Sequence, residues 1–424
     1  MQHKKSFIGQ TIIGVLLISS SVSIAETFPD YGYTPPSDWS GATFQLSQQY
    51  PKIIPSSSSF PWQKIDFREE PEKYLWAVLN YCFEGNLQTD FLVQNNTIRL
   101  WYHAPWLHYG ANGRDFVKGL TRERSSRPFE LSPSQSQQFR NYAVGFYNDL
   151  GGFTIGQVWN DPQKPDVNNI VFPEGTVSFK LLFTTAPESI ADFLTDAPEW
   201  MADVDRAQTA QQVLATKVRL LQIDIAVKDN RSSKGGWIFG TFHYDSGVNN
   251  PNPWLRLRPL TLMWGDDPSF VPSDYQSGSR PAESWINTES PIVKYRSNPP
   301  SGSTPPSTLG WAGRGNGPVD NPLSSCMSCH STAQIPASSP IIAPANLSDE
   351  EKLRWFRNTK VGEAFDSGSK TLDFSLQLGV GIQNLKSFKE FTENLGGISA
   401  VKHSMKILSV PATDMKSEYQ FSRD

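Results

Sequence analysis

The sequence of 424 residues contains only three cysteines, and two of them stand three positions apart. So small a number excludes a disulfide framework as the source of stability. The chain also lacks an excess of positive charge, because 38 Lys and Arg stand against 42 Asp and Glu, for a formal net charge of −4. Nucleic-acid binding requires a basic surface, and the composition therefore argues against a nucleic-acid partner.

Beyond the first 25 residues, no segment approaches the roughly 20 consecutive apolar residues that a transmembrane helix needs. Those 25 residues begin with the basic sequence MQHKK and continue with an apolar stretch over residues 7–18. Ser23 and Ala25 then stand at the spacing that a signal peptidase accepts. This pattern predicts a secretory signal peptide over residues 1–25 and a mature chain exported to the periplasm.

The sequence also lacks a nucleophile elbow, a phosphate-binding loop and a metallohydrolase helix. Its densest glycine cluster, residues 310–317, has no strand–turn–helix setting of the kind that dinucleotide binding requires. The hydrophobic content of 38%, with 13 Trp and 25 Phe, is nevertheless ample for a large packed core. Cys82 lies in an apolar, helix-like stretch and is interpreted as a small buried residue.

Hydrophobic periodicity predicts an α+β fold with an antiparallel, β-rich region and packed helices. Strands are predicted over 177–185, 221–228, 236–244, 254–264 (broken at Pro259) and 373–382. Helices are predicted over 70–82, from Ser132 to a stop at Gly151, from Ser348 through a capping box, and over 384–395.

A stretch rich in Pro, Gly, Ser and Asn over residues 297–322 predicts a linker. It separates a β-rich region with helices, residues 26–296, from a small C-terminal segment, residues 323–424. The two parts can still pack as one unit.

The C-terminal segment begins with Cys326, Cys329 and His330 in a C-x-x-C-H sequence. This spacing lets two thiols on one turn of backbone reach the two vinyl groups of a haem, and the adjacent histidine then lies under the iron. Three alternatives share part of the pattern. A thiol–disulfide redox pair normally follows a strand, whereas a loop precedes this motif. A zinc site needs further Cys or His ligands nearby, and none follows within sixty residues. The third alternative is a chance occurrence of the motif, with at most a structural disulfide.

At Cys326–His330 the sequence resembles c-type cytochromes. The stretches FPEGTVSFKLLF (172–183), VRLLQIDIAVKD (218–229) and GGWIFGTFHYD (235–245) resemble exported bacterial cytochrome c family proteins. In that group a large region without haem precedes a single haem motif. The resemblance implies one covalent haem c per chain, electron transfer, and a redox partner protein in the periplasm. It carries over only Cys326, Cys329 and His330.

The sequence leaves the second axial ligand of the iron open. The candidates are Met405, Met415, Met263, His403 and His108, and an open position is a further alternative. A methionine or a second histidine favours electron transfer, whereas an open position favours ligand binding or catalysis.

The proximal histidine of such sites usually donates its other ring nitrogen to a backbone carbonyl. Pro336 and Pro340 are candidates for that carbonyl, and the alternative is that both are ordinary loop prolines. A second cluster, residues 101–124, combines aromatic residues with His103, His108 and arginines. We interpret it, like His243, as core packing and surface ion pairs rather than as a haem pocket.

Three functions remain open on these grounds. The leading hypothesis is an electron carrier of the periplasm. The second is a haem-dependent oxidoreductase or peroxidase with an open iron position, suggested by the size of the β-rich region. The third is a haem-based sensor or binding protein.

The double substitution Cys326→Ala with Cys329→Ala should abolish covalent haem staining on a denaturing gel, because both thioether attachments are lost. Cys82→Ala is the matched control and should leave the staining intact. Staining that persists in the double variant would contradict haem attachment at the motif.

Overall fold

The computed structural model describes residue 28 and residues 39–56, 59–107, 114–204, 216–297 and 309–394. The predicted signal peptide lies outside these ranges. Within them, no helix combines the length and the apolar character that crossing a bilayer requires.

The described helices are α1 (Pro71–Phe83), α2 (Asp149–Val158), α3 (Pro272–Gln276), α4 (Pro291–Ser297), α5 (Cys326–Ser331), α6 (Asp349–Lys352) and α7 (Leu376–Asn394). The described strands are β1 (Thr121–Arg122), β2 (Asn141–Tyr147), β3 (Val177–Thr184), β4 (Glu199–Ala202), β5 (Thr216–Lys228), β6 (Trp237–Tyr244), β7 (Leu257–Met263), β8 (Ser284–Ile286), β9 (Gln334–Ile335) and β10 (Lys370–Thr371).

One large antiparallel sheet organises the described residues. Its strand order is β1-β2-β3-β5-β6-β7-β8, and β4 pairs with the first residues of β5. A separate pair, β9 and β10, belongs to the C-terminal segment. The prediction of an α+β architecture with an antiparallel sheet is confirmed at this level.

The sheet has one apolar face, where β2, β3, β5, β6 and β7 contribute the paired row Phe146, Phe179, Ile225, Gly240 and Leu262. This row belongs to the main hydrophobic core, together with the buried side of α1. A Cβ atom on Gly240 would lie 2.3 Å from a methyl group of Leu75, so the glycine is what lets α1 pack closely.

The opposite face, called here the site face, carries the row Tyr147, Ser178, Ala226, Phe239 and Met263. The next row on the same face is Gly145, Lys180, Asp224, Thr241 and Thr261. Side chains of the C-terminal segment pack against the first row. The described part of the predicted linker, residues 309–322, is mostly buried.

The predicted elements α1, β3, β5 and β6 are confirmed, and the helix predicted over residues 384–395 forms the second half of α7, up to residue 394. The capping box at Ser348 is also confirmed, since its hydroxyl accepts from the Glu351 amide at 3.2 Å and opens α6. The predicted strand pair broken at Pro259 is a single strand, β7. Pro259 sits there at a shift of register, where a missing amide donor is tolerated.

The predicted helix from Ser132 to Gly151 is wrong, because residues 141–147 form β2 and the glycines belong to α2. Every residue of β2 is buried, since both faces of the sheet are covered, and the alternation that marks a strand is therefore absent. Glycines occupy positions 151 and 152 inside α2 because a Cβ on Gly151 would clash with Tyr147 and a Cβ on Gly152 would clash with Tyr102.

The predicted strand over residues 373–382 is also wrong, because α7 begins at Leu376. Small residues between the apolar ones gave this stretch the alternating pattern of a strand. In α7 these small residues allow close packing against neighbouring parts of the chain. A Cβ on Gly381 would approach the carbonyl oxygen of Pro105 to 2.4 Å.

Replacing Phe179 with alanine should lower the free energy of unfolding by about 3–5 kcal/mol, because the ring is buried on the apolar face between Trp101 and Phe146. Urea denaturation measures the change. Ile98→Ala is the control, since Ile98 is 59% exposed and its loss should cost less than about 0.5 kcal/mol. Equal effects would contradict the assignment of the core.

Candidate functional site

Helix α5 carries the C-x-x-C-H motif and starts at a well-formed cap. The Ser325 hydroxyl accepts from the Ser328 amide at 2.9 Å, and the Ser328 hydroxyl accepts from the Ser325 amide at 2.8 Å. Cys326 and Cys329 lie one helical turn apart and are both free thiols. They remain partly accessible together with His330, whereas Met327 and Ser328 are buried. The two cysteines pack against the hydrophobic cluster that includes Phe239 and Met263, so the three chemically active side chains of the motif lie half-buried at its edge.

The cap is tied to the loop after β7 through Asp266. The Ser325 hydroxyl donates to the Asp266 carboxylate at 2.7 Å. The guanidinium of Arg314 lies 3.8 Å from the same carboxylate and also donates to the backbone carbonyls of Asp266 and Asp267. Burial raises the pKa of Asp266 to about 7, and the nearby Arg314 opposes that rise.

His330 has a defined orientation. Its Nδ1 lies 2.9 Å from the carbonyl oxygen of Phe374, and because a carbonyl only accepts, Nδ1 carries the proton. Nε2 is then the unprotonated nitrogen, which is the form that coordinates a metal. Burial lowers the pKa of His330 to about 4, so the imidazole is neutral at neutral pH. Phe239 packs against the ring at a centroid distance of 4.6 Å.

Neither Pro336 nor Pro340 supplies this carbonyl, and the alternative that both are ordinary loop prolines fits their contacts. The carbonyl of Pro336 accepts from the Ser369 hydroxyl, and that of Pro340 accepts from the Trp355 indole, both at 2.9 Å. The pairing of β9 with β10 brings the turn at Phe374 to His330 instead. The Leu372 amide donates to the Ala333 carbonyl at 2.9 Å beside that pair.

A small cavity of about 40 Å³ adjoins His330. Its floor is the first row of the site face, and its other wall is the start of α7. The phenol of Tyr147 lies 2.9 Å from the hydroxyl of Ser375 across one side. The lining combines aromatic rings, among them Phe239 and Phe374, with a few polar groups.

A charged cluster, defined here as Glu123, Lys180, Asp224 and Asp320, lies close to the motif. Lys180 and Asp224 form an ion pair of 3.0 Å on central strands, yet their side chains are 28% and 23% exposed. Burial alone would lower the pKa of Lys180, but the three carboxylates raise it above its ordinary value. Burial raises the pKa of Glu123 and of Asp320.

The cluster and the motif influence each other electrostatically. Burial raises the pKa of the Cys326 thiol well above its usual range, and the negative charges of Asp320 and Asp224 add to that rise. Burial raises the pKa of Cys329 to about 12. Both thiols are therefore protonated at neutral pH.

Of the candidates for the second axial position, only Met263 lies among the described residues. It stands beside Phe239 in the first row of the site face and is fully buried. His108, His403, Met405 and Met415 lie outside the described residues.

The other histidines that the sequence suggested lie in the core. His103 is buried, and its Nδ1 accepts from the Ser47 amide at 2.9 Å. His243 is buried, with Nε2 lying 2.8 Å from the Ser290 hydroxyl. Arg124 pairs with Glu130 and donates to the Val319 carbonyl. These contacts agree with the interpretation of the aromatic and basic cluster as packing and ion pairs.

Several residues around the motif were missed from the sequence: Tyr147, Lys180, Asp224, Lys228 and Asp373. The sequence did contain a signal for two of them. Lys180 in β3 and Asp224 in β5 alternate with apolar residues, so their side chains point to the face opposite the apolar one. Such positions usually face solvent. Here they face a second layer of the same chain.

The donor set fits a covalently attached haem. Two protonated thiols one turn apart share a partly accessible side with an imidazole whose Nε2 is free of its hydrogen. No group of three or more His, Cys, Asp or Glu side chains within the described ranges is arranged to hold a bare metal ion. Comparison of the chain with protein-family models, curated proteins and solved structures found no match.

Substituting Asp266 with asparagine should change how stability depends on pH. The pKa of Asp266 rises from 3.8 to about 7 on folding, so its ionisation costs stability as the pH rises through that window. The unfolding free energy of the wild type should therefore fall relative to that of Asp266→Asn between about pH 4 and pH 7. Urea denaturation at several pH values measures this difference.

The exposed Ile98 supplies the control, since Ile98→Ala removes no titratable group and should leave the pH dependence parallel to that of the wild type. Parallel curves for Asp266→Asn as well would show that Asp266 ionises in the folded state as it does in the unfolded chain.

Proposed function

We propose that this chain is a c-type cytochrome that carries one haem on Cys326 and Cys329, with His330 as an axial ligand of the iron. In this proposal the protein works in the periplasm and exchanges electrons with a redox partner protein. The bound group would supply an iron that cycles between two oxidation states. The chain's own residues would hold it and orient its ligand.

The observation that carries the proposal is the hydrogen bond from His330 Nδ1 to the Phe374 carbonyl at 2.9 Å. It fixes the tautomer and the plane of the imidazole, which is how proteins prepare a histidine ligand. The same bond leaves Nε2 as the unprotonated nitrogen, on the short helix that also carries the two cysteines one turn apart.

The same chemistry disfavours a thiol–disulfide role for the motif. A redox-active C-x-x-C pair depends on a cysteine whose pKa is lowered, so that the thiolate attacks. Here burial raises the pKa of both cysteines, that of Cys329 to about 12. Attachment to haem consumes the thiols once, during maturation, and requires no thiolate afterwards.

A haem-dependent oxidoreductase is the second candidate, and the charged cluster is the observation that favours it. Burial raises the pKa of Glu123 and of Asp320, and carboxyl groups that hold a proton more readily are suited to proton transfer. A carrier of electrons alone has no need of proton-exchanging groups beside its iron.

The optical spectrum of the purified protein separates the two candidates. The protein is produced with a cytochrome c maturation system and measured oxidised and reduced, with and without carbon monoxide. We expect a low-spin c-type spectrum that carbon monoxide does not change, because an electron carrier keeps both axial positions filled.

Ready binding of carbon monoxide by the reduced protein would contradict the electron-carrier function and favour the oxidoreductase. The absence of any haem band, in a preparation where a known c-type cytochrome matures normally, would contradict both.

A further inference from the structure

The turn that presents the Phe374 carbonyl to His330 has an unusual backbone. Asp373 and Phe374 are consecutive residues with φ of +46° and +67°. Side chains with a Cβ rarely adopt this left-handed region, and an aromatic residue there is a clear outlier. Such a conformation persists only where the surroundings hold it.

The Asp373 carboxylate is what holds the turn. It accepts from Lys228 Nζ at 2.8 and 2.9 Å, from the Trp237 indole at 3.2 Å and from the Phe172 amide at 2.7 Å. The side chains of Asp373 and Lys228 are 0% and 2% exposed. Donors from the sheet and from the segment before β3 thus converge on one residue of the turn.

The turn forms a hydrogen bond with the imidazole of the motif. Phe374 follows Asp373 directly, and its carbonyl accepts from His330 Nδ1. The Ser375 hydroxyl, next in the chain, lies 2.9 Å from Tyr147 of the site face. Movement of Asp373 would therefore displace the one acceptor that sets the plane of the histidine ring.

We propose that Asp373, paired with Lys228, is a positioning residue for the axial histidine: it holds the Phe374 carbonyl against His330 Nδ1 and so tunes the reduction potential of the site. This inference rests on the proposed function. A hydrogen bond donated by Nδ1–H to a carbonyl makes the imidazole a stronger electron donor, which favours the oxidised iron. Loss of that acceptor should therefore raise the midpoint potential.

The test removes the pair without changing net charge, in the double variant Lys228→Met with Asp373→Ala. The matched control is Arg258→Met with Asp245→Ala, which removes another ion pair of the same sheet, one with a nitrogen–oxygen distance of 2.6 Å. Each protein is matured with haem. Its midpoint potential, the EPR spectrum of its oxidised form and its thermal stability are then measured.

We expect the Lys228/Asp373 variant to keep its covalent haem, to show a higher midpoint potential and to give a changed EPR spectrum. The control variant should lose stability while its potential and EPR spectrum stay at the wild-type values. A Lys228/Asp373 variant that loses stability but keeps both wild-type signals would overturn the proposal and leave the pair with a structural role alone.

A milder variant covers the case in which the double variant does not fold. Asp373→Asn keeps an acceptor oxygen and a residue type that tolerates positive φ, but it loses the ion pair with Lys228. The EPR spectrum should therefore change as it does in the double variant. An unchanged spectrum in this variant would also overturn the proposal. Failure of the wild type to bind haem would instead contradict the proposed function, so the two failures are distinguishable.

Discussion

Burial of both faces of the central sheet is the constraint on which the rest of the structure depends. One face packs against α1 and the main core through rows such as Phe146, Phe179 and Ile225. The other face must receive the segment that carries the motif, and it does so with Tyr147 and Phe239 close to the imidazole. This layered arrangement places the small C-terminal segment on one face of a large sheet whose other face is already covered.

An ion pair as well as apolar packing holds the C-terminal segment against the site face. Lys228 and Asp373 form a buried ion pair between sheet and segment, and breaking such a pair by removing one partner costs roughly 3–5 kcal/mol. A buried pair adds little net stability over apolar residues of equal volume, so its use here is better explained by geometry. Hydrogen bonds of fixed direction hold a turn and a ring plane in a way that apolar contacts do not.

The sequence predicted the parts of this arrangement that have local signatures. Helix α1 and strands β3, β5 and β6 follow from periodicity, and Cys326, Cys329 and His330 stand out by spacing. Strand β2 was missed because it is buried on both sides, and the start of α7 was missed because its glycines serve packing. The acceptor for His330 lies 44 residues away and is a backbone carbonyl, which has no side-chain signature. Only tertiary structure brings it to the motif.

The most direct test of the central claim is the intact mass of the protein, matured with a cytochrome c maturation system and then fully denatured. A haem held only by iron coordination dissociates under these conditions, whereas thioether bonds survive. Covalent attachment at the motif predicts the mass of the polypeptide plus one haem, with the added mass on the peptide that contains Cys326 and Cys329. The mass of the bare polypeptide, or added mass on a peptide containing Cys82, would contradict it.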